Sequence, residues 1–450
     1  MELISAEVLR NREQLEAVTE EPKYPRRYET PPGFDLSDIL AFRTGQPHEY
    51  FHTLRAQAPI AWSNVPDYAG YWSLTRYDDV RYCDQNPKLF SSQKGGILMA
   101  IGDPKEGPPR LMHATLNSLI NMDQPYHLPL RMEQRPFFST DFAQKLRARV
   151  TTEVDRLLDN MERLAHKQDG RVDLVKHFSS WLPLFTLCEI LGIEERDRPA
   201  IVRWVHYLEL ASYIVSDPES KISKLFALKF LWNLRQMFRF GERMLAARRK
   251  KPRDDLLTVI AQSKLGNEPM SQPFLDGSWL LIVFAGNDTT RNSLSGTMRL
   301  LTQFPEQRQM LLDDPKLMPK MVPEALRLVS PVMYMRRTAT EDTEIRGQKV
   351  AKDEKVIMWY GAANRDPEVF ENPDAMDIHR ANADQHLAFG IGPHICLGKR
   401  VAQMQLEVAY ERMLDRFPHV RWTGEQSISP NNFVHGVTEL IVQLNGGARA

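Results

Sequence analysis

The string Phe389-Gly390-Ile391-Gly392-Pro393-His394-Ile395-Cys396-Leu397-Gly398 constrains this chain more than any other segment. It reads F-x-x-G-x-x-x-C-x-G, and a helical pattern follows over residues 401–417. A glycine-bearing loop therefore delivers one thiol to the start of a helix. There, unpaired N–H groups and the positive end of the helix dipole stabilise a thiolate. Glycines let the backbone come close to a flat group that a side chain would hold off. Cys83, Cys188 and Cys396 are the three cysteines, far apart and odd in number, so no disulfide framework is expected and a reducing compartment fits. No Cys or His partner stands at metal-ligand spacing from Cys396, which argues against zinc and against an iron–sulfur cluster. Taken alone, an unpaired cysteine is more often a buried structural thiol.

Residues 273–301 read as one long helix. Its first half is nearly all apolar (Phe274, Leu275, Trp279, Leu280, Leu281, Ile282, Val283, Phe284) and then meets Ala285-Gly286-Asn287-Asp288-Thr289-Thr290. Glycine there costs about 1 kcal/mol relative to alanine. Threonine can bond back to the preceding turn and bend the helix. Such local violations tend to mark function, and an opened ladder would leave a polar groove for a small ligand and an ordered water. The bland alternative is a helix kink with a capped Asp–Thr pair.

Glu324-Ala325-Leu326-Arg327 places opposite charges one helical turn apart, 35 residues after Thr289 and 72 before Cys396. The spacing alone is common, and most such pairs are solvated. Asp123-Gln124-Pro125-Tyr126-His127-Leu128-Pro129-Leu130-Arg131 sets a histidine and an arginine one turn apart. Met335-Arg336-Arg337-Thr338 adds two adjacent arginines.

Composition bounds the rest. At 450 residues with 42% hydrophobic and 26% charged, the chain can bury a large core beneath an ordinary soluble surface. Lys+Arg and Asp+Glu are both 58, so no global field draws it to nucleic acid or to an anionic membrane. No apolar run approaches the ~18 residues of a membrane span, and the polar start is no signal peptide. Residues 1–35 read as a flexible arm punctuated by Pro22, Pro25, Pro31 and Pro32, and residues 36–450 as a single domain. Residues 60–74 suggest a β-hairpin, 95–109 a long loop, 141–312 mostly helix, and 355–360 a strand.

Together, and in this order, these motifs resemble the cytochrome P450 family of haem–thiolate monooxygenases, across about two thirds of the chain. The resemblance implies a mainly α fold with small β-sheets, a triangular prism with an α-rich part and a smaller β-rich region. It implies haem b (iron protoporphyrin IX) with Cys396 as thiolate ligand and O2 as co-substrate. Thr289 and Asp288 are then the alcohol and acid that serve oxygen activation, and Ala285 and Gly286 keep their helix close to the haem. Phe389 and Gly398 shape the Cys loop. His127, Arg131, His394 and Arg337, or Arg336 in its place, meet the propionates. Glu324, Arg327 and Arg380 brace the loop as scaffold. Expected pocket positions are Leu98 and Met99 in the loop, Leu281, Ala285, Val332, Met333, Phe433 and Val434.

The activity implied is hydroxylation of a hydrophobic substrate, terpenoid- or steroid-like before a linear alkane or fatty acid. No flavin, nicotinamide or ferredoxin-like fingerprint is present, so a ferredoxin and an NAD(P)H-dependent reductase are implied. Arg135, Lys145, Lys399 and Arg400 offer a docking patch, or merely a solvated face. A cytoplasmic monomer of the soluble bacterial kind is expected. From other classes, a peroxide-driven haem enzyme is expected to lack the Asp288–Thr289 pair, and a haem sensor would not need it.

Overall fold

The computed structural model describes residues 21–65, 68–99, 109–216 and 224–444. Helices dominate because apolar residues recur at helical spacing. In Thr140–Ala165, Ala143, Leu146, Val150, Val154, Leu157, Leu158, Met161 and Ala165 are all buried on one stripe. Ser139 caps this helix, accepting the Phe142 N–H at 3.2 Å. The stripe packs against Lys399–Arg416, the helix that follows the Cys loop. The helix Asp288–Gln303 lies among Trp181–Leu191, Met318–Val329 and Lys399–Arg416. Ser293, Ser295 and Thr297 are buried there without being orphaned, because the hydroxyl of each bonds back one turn. Ser293 donates to the Thr289 carbonyl (2.8 Å), Ser295 to Arg291 (3.0 Å) and Thr297 to Ser293 (2.8 Å).

The expected hairpin forms as Ile60–Val65 against Tyr68–Leu74, with Ile60 opposite Leu74 and Trp62 opposite Trp72. The two indoles meet edge to face at 5.0 Å. Lys355–Trp359 adds to Tyr68–Leu74 in parallel, followed by antiparallel Tyr334–Ala339 and Phe90–Ser91. Every residue of Lys355–Trp359 is buried, as befits a central strand covered on both faces. Arg336 pairs with Ile357 and Arg337 with Val356, so the adjacent arginines point to opposite faces. A second sheet orders Arg421–Ser429, Gly436–Gln443 and Arg171–Asp173, all antiparallel. The result is a mainly α protein with small sheets.

Of the arm read over residues 1–35, residues 1–20 lie outside the described residues, as does most of the loop expected over 95–109. Residues 21–35 form no helix or strand but are fastened to the sheet region. The Arg27 N–H donates to Gln348 Oε1 at 2.6 Å, and the Thr30 hydroxyl to the Trp62 carbonyl at 2.8 Å.

Candidate active site

The Cys loop folds onto the end of the helix Tyr77–Gln85. Gly390 and Gly392 both hold left-handed backbone, φ 65° and 73°. A Cβ on Gly392 would stand 2.6 Å from the Asp84 carbonyl oxygen, so only glycine fits. The Asp84 carboxylate collects the Ile391 N–H (3.2 Å), the Tyr360 hydroxyl (2.8 Å) and Arg337 Nη2 (2.6 Å). Nothing in the motifs pointed to Asp84. The Cys396 N–H closes the loop on the Phe389 carbonyl at 2.8 Å, and Gly398 is the N-cap of Lys399–Arg416. The Cys396 side chain is accessible within a protein surround. That surround raises the thiol pKa, whereas the N–H groups of Gly398 and Lys399 and the charges of Arg131 and Lys399 draw it down. The Lys399 ammonium sits 5.6 Å over the Phe389 ring.

Four of the expected donors converge beside this loop. His127 and His394 stack with ring centroids 3.9 Å apart. Arg131 donates to the Ile395 carbonyl, one residue before the cysteine. Burial, with Arg131 and Arg337 nearby, lowers the His127 pKa to about 4. His394 is lowered to about 2 by burial, then by Arg337, His127 and Arg131. His127 Nδ1 is buried and has no hydrogen-bond partner among the described residues. Arg336 faces elsewhere: its Nη1 donates to the Leu98 carbonyl at 3.2 Å. Strand alternation therefore puts Arg337, and not Arg336, with the histidines.

The expected single helix over 273–301 is two, Gln272–Ala285 and Asp288–Gln303, broken at Gly286–Asn287. The Asn287 N–H drops to a three-residue bond on Phe284 (3.4 Å), and the Thr289 hydroxyl donates to the Ala285 carbonyl at 3.0 Å. Ala285 is exposed and Thr289 half-buried, although buried residues flank them on the same helices. Asp288 is buried and ion-paired to Arg291, and it also accepts from Asn292 Nδ2 at 3.1 Å. Burial raises the Asp288 pKa, and Arg291 and Asn292 offset this. Motif reading missed Arg291 and Asn292. Asn292 Oδ1 in turn accepts the Val437 N–H at 2.9 Å.

Glu324 and Arg327 are fully buried and bidentate, at 2.8 and 2.7 Å. Arg380 Nε completes the group at 3.0 Å from Glu324 Oε1. Arg327 also caps the carbonyls of Asn364 (2.8 Å) and Pro373 (2.6 Å), and Asn364 Oδ1 accepts the Leu387 N–H at 2.6 Å just ahead of the Cys loop. Of the expected pocket positions, Leu281 and Val332 are half-buried, and Val332 bridges to Val434. Met99 and Met333 are buried in the core around Tyr71, Tyr334 and Trp359, against which Phe433 packs. Arg135, Lys145 and Arg400 are exposed and Lys399 half-buried.

One accessible thiol, a basic cluster with a buried imidazole nitrogen that has no partner among the described residues, and an exposed Ala285 beside half-buried Thr289 are compatible with a haem. The profile described as Cytochrome P450 matches residues 119–440. The chain is 33% identical to a linalool 8-monooxygenase of Pseudomonas putida over 417 residues, covering 91% of this chain and 98% of that one. It is 33% identical over 400 residues to a methyl-branched lipid omega-hydroxylase of Mycobacterium bovis, covering 87% and 90%. A solved cytochrome P450-153 from Novosphingobium aromaticivorans superposes with a TM-score of 0.77 at 33% identity, covering 91% and 99%. Motif order, architecture and relatives agree: the chain belongs to the cytochrome P450 family and is a P450 monooxygenase.

Proposed function

We propose that this protein hydroxylates an apolar, branched aliphatic substrate with a haem b that the Cys396 thiolate would hold. The observation that carries this is the accessible Cys396 thiol, held by the Asp84-anchored loop beside the basic cluster of His127, Arg131, Arg337 and His394. Bound haem supplies oxygen activation, with its thiolate ligand favouring O–O cleavage. The chain supplies the rest. His127, Arg131 and His394 would hold the propionates, and Arg337 would add its charge from the Asp84 bridge. The Thr289 hydroxyl, freed from Ala285, orients the proton donor on the oxygen side. Asp288 passes protons inward when its bond to Arg291 opens. Leu281, Ala285 and Val332 hold the substrate and exclude water. Glu324, Arg327 and Arg380 keep the loop seated.

Two relatives carry the substrate class. One is named for linalool, a branched terpenoid, and the other for a methyl-branched lipid. A branched aliphatic chain is what those substrates share. Electrons come from a ferredoxin and its NAD(P)H-dependent reductase, with exposed Arg135, Lys145 and Arg400 as the basic face an acidic carrier meets. A low-to-high spin shift screened across terpenes, methyl-branched acids, steroids and linear alkanes tests the reading, followed by reconstituted turnover. Spin shifts and NAD(P)H-dependent hydroxylation with the branched compounds are expected. Turnover with peroxide but none with ferredoxin and reductase would overturn it.

A further inference from the structure

The helix Lys224–Lys250 packs on Arg198–Ser216 and Gln272–Ala285, burying Leu234, Met237, Phe238 and Phe240. Its other face is apolar as well. Leu225 is 62% exposed, Leu228 66%, Leu231 48% and Trp232 55%. With 3.6 residues per turn, these four and the exposed Lys229, Arg235 and Arg239 fall within one arc of about 160°. Single exposed leucines need no explanation, but four large apolar side chains within eight residues of one stripe do. The charge is one-sided: from the start of this helix to residue 241 there is no Asp or Glu, and Glu242 is the first acid. In a chain of zero net charge this is a local concentration.

We infer that this face docks on an anionic lipid bilayer. Leu225, Leu228, Leu231 and Trp232 enter the boundary between headgroups and acyl chains, while Lys229, Arg235 and Arg239 meet lipid phosphates. Charge decides the occupant. A second copy related by a two-fold axis would set these basic residues against themselves, with no acid from residue 224 to 241 to offset them and Glu242 already paired with Arg110. A bilayer interface conforms to the exposed face of a single helix. The inference goes beyond the hydroxylase reading and does not depend on it.

Sedimentation of the purified holoprotein with phosphatidylglycerol/phosphatidylcholine vesicles, and with pure phosphatidylcholine vesicles, tests it. Binding to the anionic vesicles is expected, weakened by salt and at least tenfold poorer on neutral ones. Arg235→Gln loses about fivefold, one surface charge's share. Leu228→Asp and Trp232→Asp lose tenfold or more, with the haem spectrum and thermal midpoint unchanged because both positions are exposed. Equal binding by Trp232→Asp and the native chain, or none by the native chain at low salt, overturns the inference. Self-association abolished by Leu228→Asp without vesicle binding assigns the face to a second copy and overturns it too.

Discussion

Arg337 and Asp84 form a buried salt bridge, Nη2 to Oδ1 at 2.6 Å, across 253 residues of sequence. The same carboxylate carries the Tyr360 hydroxyl and the Ile391 N–H of the Cys loop. Replacing Asp84 with alanine strands the guanidinium without its counter-ion and releases the loop. Loss of one partner from a buried pair costs about 3–5 kcal/mol. Asp84→Ala is therefore expected to denature at lower urea and to retain less haem per chain, read from the ratio of haem to protein absorbance. A native ratio and native urea midpoint would show that Asp84 does not anchor the loop.

Glu324 holds two arginines at once, and both Glu324 and Arg327 are fully buried. Glu324→Gln leaves two positive side chains facing a neutral amide. It should cost at least as much as Asp84→Ala, giving little soluble holoprotein. Arg380→Ala, which leaves the Glu324–Arg327 pair intact, is expected to be milder. Folded yield and thermal midpoint rank the three proteins; a Glu324→Gln protein as stable as Arg380→Ala contradicts the ordering.

Thr289 and Asp288 are proposed to act after oxygen binds, so their loss should spare haem and substrate binding. Thr289→Ala is expected to keep consuming NAD(P)H while product per NAD(P)H falls several-fold and peroxide appears. Asp288→Asn should slow turnover about 100-fold, the scale of a lost general acid. Parallel assays of NAD(P)H, product and peroxide distinguish these outcomes. Full coupling in Thr289→Ala would remove the hydroxyl from the mechanism.

His435 is half-buried, and desolvation with Arg299 beside it lowers its pKa to about 4. His48, also half-buried and close to Arg365 and His435, is lowered well below its ordinary value, first by desolvation. Both are neutral in the fold and charge more readily when unfolded, where the pKa is about 6.5. The unfolded chain thus binds more protons below pH ~6.5, and stability falls as pH drops from there toward about 4. Each histidine contributes about 1.4 kcal/mol per pH unit. His435→Gln should flatten the acid limb of a urea-midpoint profile over that window; an unchanged slope would rule the group out.

The legible parts of the site were those written within one turn or loop. Cys396 with its glycines, the Asp288–Thr289 pair in an apolar helix and Glu324 with Arg327 carry their chemistry at fixed local spacing. Asp84 carries none: its role exists only because Tyr360, Arg337 and Ile391 arrive from elsewhere in the chain. Arg336 and Arg337 were indistinguishable until strand register gave them opposite faces. The helix break at Gly286–Asn287 was legible as a weakness, but its position between two separate helices depended on packing. Asn292 looked like one more polar residue until the Val437 N–H was found on its carbonyl. Most pocket residues share this fate, since an apolar side chain at 98–99, 333 or 433 fits core or cavity equally well by sequence.

The central claim is that Cys396 supplies the thiolate that would hold the haem, and the CO-bound spectrum of the reduced protein tests it most directly. The native chain is expected to give the thiolate-type Soret band, and Cys396→Ser to lose it while the fold, followed by far-ultraviolet circular dichroism, persists. A Cys396→Ser protein that keeps the thiolate-type band would contradict the account.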